Sequence, residues 1–270
     1  MTKQLPDIDV IANPQPDLDV WRTLPRELEA AGFHGVVCPD NPWSADPFQL
    51  MAIAASVTTT LHVGTHVLAA PLREPTEVAD QTRSLAALSG GRFCLGLGTG
   101  LPMIHEYAQR AGRPAMDGRA ARSWIAASAR AVRAAQLPGP VPITVAAGGP
   151  RALAAAAAVA DEIALAIRPT ATADDVSHMV QSANTVAQQH DREITFVVNP
   201  IAVGDRVVGF HDGGPSVAEL RAAGAFALLP ERAEEIAVTL ASWRSAFGIA
   251  RIVVSEEMRD ELAGVLTLDR

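Results

Sequence analysis

Two glycine-rich stretches could present backbone amides to an anion. Gly98-Thr99-Gly100 follows the run RFCLGL, and Ala147-Gly148-Gly149 is followed by Pro150. Glycine lets main-chain N–H groups approach an oxyanion closely. Pro150 suits the first position of a helix, where free N–H groups and a positive helix end favour phosphate. Gly98-Thr99-Gly100 is no dinucleotide fingerprint: its spacing is G-x-G-x-G, and no acidic residue waits after a second strand. Taken singly, the first stretch reads as a plain strand-to-helix turn and the second as a helix start with nothing bound. On neighbouring strands the two could together grip one phosphate.

A third group is Asp40-Asn41-Pro42-Trp43. Asp40 could simply cap a turn. Asn41 offers a donor and an acceptor but is no base at neutral pH. Trp43, in a proline-rich loop, either walls a pocket or covers the core. His66 stands beside Gly64-Thr65 at a strand end, whereas His34, His62, His178, His190 and His211 are scattered and read as surface or strand residues. His105-Glu106 lacks the second histidine of a zinc helix. Cys38 and Cys94 are too far apart in sequence for a thiolate metal motif, and two cysteines make no disulfide framework. No metal ligand set is expected.

The composition excludes other chemistry. Lys3 is the single lysine; the other 21 basic residues are arginines. Schiff-base catalysis needs a lysine amine inside a pocket, and Lys3 is expected on a frayed terminus. No Gly-Lys-Ser/Thr phosphate loop and no kinase-type lysine exist. A net charge of −8 argues against a nucleic-acid surface. No apolar run is long enough for a membrane span, and MTKQLPDIDV has no signal pattern. A cytoplasmic protein is the default expectation. Fifty of the 270 residues are alanine, leaving about 82 larger apolar side chains, enough for one sizeable core.

The elements that must position these residues alternate regularly. Strands are expected at 8–13, 35–39, 61–69, 92–96, 142–147, 162–166, 194–203 and 251–254, with helices between them. Gly32 is a good helix C-cap, and Asp46-Pro47 a good helix start. Eight strands apolar on both faces predict a buried parallel sheet, and eight βα units in roughly 250 residues predict a closed (β/α)₈ TIM barrel. An open doubly wound sheet is the alternative. One domain is expected over 1–270. The segments 98–118 and 204–230 read as irregular loops. Chemistry in such a barrel lies at the strand ends: Asn13, Asp40-Asn41, Thr65-His66, Gly98-Thr99-Gly100, Ala147-Gly148-Gly149, Arg168, Asn199 and Ser255-Glu256.

Three segments resemble the bacterial luciferase-like monooxygenase superfamily, whose members form (β/α)₈ barrels. They are AAGFHGVVCPD at 30–40, LHVGTHVLAAPLREPTEVADQTRSLAALSGGRFCLGLGTG at 61–100, and ITVAAGGPRALAAAAAVADEIALA at 143–166. VGTHVL and GLGTG followed by AAGGP are most similar to the branch that uses the deazaflavin coenzyme F420. The resemblance implies that Asp40, Thr65, His66 and Val67 flank the tricyclic ring. It implies that Gly98-Thr99-Gly100 and Ala147-Gly148-Gly149 hold the ribityl phosphate. Asn41 and Trp43 are the candidate catalytic residues.

The function so implied is hydride transfer between coenzyme F420 and a small organic substrate. The alternatives are an FMN-dependent monooxygenase and a cofactor-binding barrel without activity. Sugar-phosphate dehydrogenases of the deazaflavin branch carry histidine where this chain has Asn41 and an acid where it has Leu101, and use lysines this chain lacks, so that activity is not expected. Without an evident acid or base, reduction of an activated C=C or C=N bond is the expected chemistry. The resemblance also implies a homodimer through the apolar helix 47–57 and a cis peptide bond between His66 and Val67.

Overall fold

The computed structural model describes residues 5–208 and 214–268; Lys3 and His211 lie outside them. Its elements run β1 (Asp7–Ile11), α1 (Leu18–Ala31), β2 (Gly35–Cys38), α2 (Pro47–Val57), β3 (His62–Thr65), β4 (Leu68–Ala69) and α3 (Pro75–Leu88). Then follow β5 (Phe93–Gly98), α4 (Pro102–Arg110), α5 (Gly118–Ala134), β6 (Ile143–Ala147), α6 (Pro150–Ala157), β7 (Glu162–Leu165) and α7 (Ala173–Gln189). The last part holds β8 (Thr195–Val198), β9 (Ala202–Val203), β10 (Arg206–Val207), α8 (Val217–Ala222), β11 (Leu228–Leu229), α9 (Ala233–Phe247), β12 (Ile249–Ser255) and α10 (Arg259–Leu268).

Strands β1, β2, β3, β5, β6, β7, β8 and β12 pair in parallel in that order, and β12 pairs back onto β1. The sheet is therefore a closed (β/α)₈ barrel. The third strand is interrupted at His66-Val67, whose peptide bond is cis, and resumes as β4 against β5. Helix ends follow local chemistry. Asp17 and Asp46 each accept two amide hydrogen bonds at the starts of α1 and α2, and Gly32 closes α1 at φ 90°.

Alternation along the strands sorts the interior into layers. Val37, Ala164, Val197 and Val253 form a small apolar cluster inside the barrel. One step toward the N-terminal end lies a polar layer: Arg251 donates to Asp9 at 2.6 Å, to Thr144 at 2.8 Å and to Glu162. The much larger apolar cluster lies between the strands and the surrounding helices, with Trp21, Phe93, Phe196 and Leu95 fully buried.

Three sequence expectations need correction. The stretch 194–203 is not one strand. Pro200 lacks the N–H a barrel strand would donate, the barrel strand ends at Val198, and Ala202–Val203 joins a separate three-stranded sheet with β10 and β11. The segment 98–118 contains α4, started by Pro102 and anchored by buried Ile104 and Ala108 one turn apart. The segment 204–230 contains, among its described residues, β10, α8 and β11, with Ser216 and Glu219 forming a capping box on α8. Among the described residues, no helix is long and apolar enough to cross a membrane.

Candidate functional site

At the C-terminal mouth of the barrel a cavity of about 460 Å³ opens between the ends of β2, the third strand, β5, β6 and β7. Its lining includes Asp40, His66, Val67, Gly98, Thr99, Gly100, Ala147, Gly148 and Gly149, so most of the residues singled out from sequence meet in one place. Leu101, Ile104, Ala152 and Ala166 complete much of the wall. Ile104 belongs to α4, and the signal for it was the helical spacing of Ile104 and Ala108 behind Pro102. Among the described residues lining the cavity, Asp40 and His66 are the two that can ionise.

The glycines differ in why they are glycine. A Cβ on Gly96 would lie 2.1 Å from the Thr65 carbonyl oxygen, and one on Gly98 2.5 Å from Val67 Cγ2. A Cβ on Gly148 would lie 2.5 Å from the Ala166 carbonyl oxygen. Those three are set by close packing within the barrel. Gly100 adopts φ +83°, a left-handed conformation that suits glycine. Gly149 is different: a Cβ there would meet nothing within 4 Å, and its φ of −89° is open to any residue. It caps α6 with no side-chain hydrogen bond; Pro150 has no N–H, and Ala152 and Leu153 donate to the Gly149 carbonyl, so the Arg151 amide is the one left open in the first turn.

Asp40 is committed elsewhere. Its carboxylate accepts from Arg73 Nη2 at 2.7 Å, from Arg73 Nε at 3.0 Å and from the Ala69 amide at 3.2 Å. Asn41 Oδ1 accepts from the Trp43 amide at 3.1 Å and so shapes its own turn. Thr65 is turned away from the cavity: its hydroxyl donates to the Gly96 carbonyl at 3.0 Å and accepts from the Gly96 amide at 2.8 Å. Trp43 stands on the rim, 59% exposed, edge-on to Tyr107.

His66 spans the barrel. Its Nε2 lies 3.2 Å from Asn199 Oδ1, just past the end of β8, the strand across the barrel from it. Burial, aided by the positive charge of Arg251, pushes the imidazole down to about 4. The ring is neutral at pH 7, Nε2–H donates to Asn199, and Nδ1 keeps its lone pair. Both ionisable groups of the lining are thus internally accounted for; beside the cavity, Arg168 and His178 line a second hollow that shares Gly148, Gly149 and Ala166 with it.

Residues 5–206 match the family described as luciferase-like monooxygenase, about three-quarters of the chain. The chain belongs to that family. Among relatives of this luciferase-like protein is Rv3520c of Mycobacterium tuberculosis, provisionally named a coenzyme F420-dependent oxidoreductase. The two are 37% identical over 93 residues, covering 34% of this chain and 26% of that one. The chain spans 40% or less of the length of the curated relatives it matches.

Solved structures share the fold over nearly the whole length of the luciferase-like chain. The coenzyme F420-dependent tetrahydromethanopterin reductase of Methanopyrus kandleri superposes with a TM-score of 0.72 at 15% identity, covering 98% of this chain and 97% of that one. A riboflavin lyase containing modified FMN superposes with a TM-score of 0.75 at 13% identity, covering 98% and 91%. The family consists of oxidoreductases and monooxygenases, and both deazaflavin and flavin users appear among the structural neighbours.

Proposed function

We propose that the protein transfers a hydride between coenzyme F420 and a small organic substrate at the C-terminal mouth of the barrel. The observation that carries this reading is the pairing of a charge-neutral cavity with the open main chain at Gly149. A cavity of this size suits a tricyclic ring, and an uncapped helix start suits the phosphate of its tail. Asp40, Thr65, His66 and Val67 are the proposed ring neighbours, with Thr65 acting through the backbone it staples to Gly96. Gly98, Thr99, Gly100, Ala147, Gly148 and Gly149 are the proposed phosphate cradle.

A reduced deazaflavin supplies the hydride itself; the protein orients it and keeps water away. Val67, Ala69, Ala146 and Ala147 offer apolar contacts to a flat ring. His66, neutral and donating to Asn199, offers a hydrogen-bond acceptor at Nδ1. Asn41 and Trp43 are the proposed contacts to substrate from the rim, and neither can take a proton. Reduction of an activated C=C or C=N bond, with the proton drawn from solvent, fits this set better than alcohol oxidation. Oxidation of sugar phosphates is not part of the proposal, because Asn41 and Leu101 hold the positions of its acid and base.

The deazaflavin is preferred on the likeness to Rv3520c. The riboflavin lyase's fold likeness keeps FMN as the second reading. Titrating the purified protein with each compound and following ligand absorbance tests the assignment. Saturable binding of F420 supports it, tighter binding of FMN moves it to a flavin enzyme, and binding of neither overturns it. A homodimer in the cytoplasm is proposed alongside. Its contact would be the groove between α2 and α3, where Phe48, Ala52 and Leu85 sit beside exposed Leu88. A monomer mass by light scattering would overturn it.

A further inference from the structure

We propose that the rim of the cavity binds a neutral, largely apolar substrate, laid against the Trp43–Tyr107 pair and seated on Leu101 and Met103. This rests on the reading of the mouth as an active site and names the substrate class it accepts.

Four of the nine exposed large apolar side chains among the described residues gather at this rim: Trp43, Leu101, Met103 and Tyr107. They come from two separate pieces of chain. Trp43 lies three residues past the cavity-lining Asp40, and the other three lie at the start and along α4. Trp43 and Tyr107 meet edge to face, ring centroids 5.9 Å apart at 73°. Met103 and Tyr107 are one helical turn apart on the same side of α4. Leu101 and Ile104 continue the apolar surface down into the cavity wall. An exposed apolar patch continuous with a cavity is the feature that marks a ligand surface rather than scattered surface residues.

The charges around the rim argue for a neutral occupant. Asp40 and Asp46 are both held by Arg73. Glu106 faces Arg110 at 3.8 Å, and Glu74 faces Arg113 at 3.9 Å. His105 Nε2 donates to the Thr99 carbonyl at 2.8 Å. His66 is neutral inside the cavity. A charged substrate would shed its water here and find each nearby countercharge already engaged. A neutral one would cover the rim side chains at no such cost.

Trp43 provides a direct reporter, because Trp21, Trp124 and Trp243 are each 6% exposed or less. The protein without added cofactor is titrated at neutral pH with ethyl cinnamate and with cinnamate, an ester and acid of the same shape, following tryptophan emission. The expected result is a saturable blue shift with the ester and an affinity about tenfold or more above that of the acid. Trp43→Phe should remove the signal. Leu101→Asp, at an exposed position, should weaken the ester at least about tenfold while the melting temperature holds. Equal or tighter binding of the acid overturns the proposal. So does a shift that survives Trp43→Phe, a Leu101→Asp variant that binds normally, no saturable response to either compound, or an emission that depends on protein concentration because a second copy covers the rim. Cofactor absorbance is read separately. Ester binding without cofactor binding would sink the proposed hydride transfer and leave this site standing, and the converse would sink this site alone.

Discussion

The Arg73 guanidinium lies in a fork against the Asp40 carboxylate, Nη2 to Oδ1 at 2.7 Å and Nε to Oδ2 at 3.0 Å, while its Nη1 reaches Asp46 Oδ2 at 2.7 Å. The Arg73 carbonyl in turn accepts from Trp124 Nε1 at 2.6 Å. One side chain thereby joins the end of β2, the start of α2 and the segment before α3. The loop carrying Asn41 and Trp43 hangs between the two aspartates it holds.

Replacing that arginine should therefore loosen the rim and the fold together. Arg73→Met leaves two carboxylates without their cation, one of them almost fully buried. Loss of one partner of a buried pair costs about 3–5 kcal/mol. The urea midpoint should fall accordingly with its slope unchanged. Arg73→Lys should recover only part of the loss, because an ammonium cannot grip a carboxylate in a fork. An unchanged midpoint in Arg73→Met would show the clamp to be idle.

Gly149→Asp should separate ligand binding from folding. The new side chain enters open space, so the melting temperature should stay within about 2 °C of the parent. Its carboxylate would stand where the phosphate is proposed to lie, and binding of F420 or FMN should weaken by about tenfold or more, roughly 1.4 kcal/mol. Riboflavin, which has no phosphate, should be affected less. Unaltered affinity for the phosphorylated ligands would place the phosphate elsewhere.

Gly96 should behave in the opposite way. Gly96→Ala puts a methyl group 2.1 Å from a backbone oxygen between β3 and β5, which cannot move without opening the barrel. Overpacking of this kind costs about 1–3 kcal/mol or more. Gly139→Ala, with nothing within 4 Å of its Cβ, serves as the control and should change stability little. Equal denaturation midpoints for the two variants would contradict the packing.

Acid should weaken the fold through His66. The folded ring sits at about 4, below the ordinary 6.5. Between those values the unfolded chain binds the proton and the folded one does not, so stability falls as pH drops from 6.5 toward 4 and levels off below. The loss is on the order of 3 kcal/mol. His66→Gln, which keeps a donor for Asn199, should flatten that part of the profile. Asp9 acts lower down: burial opposes its charge, but Arg251 and His34 outweigh this and hold it at about 2, so its contribution fades as pH falls from 3.8 toward 2. A profile with no slope between pH 4 and 6.5 would show that His66 is not buried neutral.

Much of the candidate site is legible in the sequence. The turns at Gly98-Thr99-Gly100 and Ala147-Gly148-Gly149 stand out because glycine restricts what a local stretch can do, and their strands are neighbours as expected. Why each of those positions is a glycine was not legible. Gly98 and Gly148 answer to Val67 and Ala166, partners 31 and 18 residues away in sequence that no local pattern reveals. α4 was missed because a nine-residue helix with only two buried positions leaves a faint periodic signal.

The chain's alternation of apolar strands and capped helices was enough to specify eight βα units, since the period of side-chain burial and the chemistry of helix ends are local properties. Asp46, Gly32 and Pro150 act as their residue types require. Which polar side chains stay free for a ligand was decided only by closure of the barrel. Closure carried Arg73 onto Asp40 across 33 residues and His66 onto Asn199 across 133. A carboxylate or an imidazole loses its availability to whichever partner reaches it first, and burial then resets its charge. Those partners are set by three-dimensional proximity, so a strand-end aspartate and histidine that look alike in sequence as open chemical groups emerge here as a clamped anion and a neutral ring.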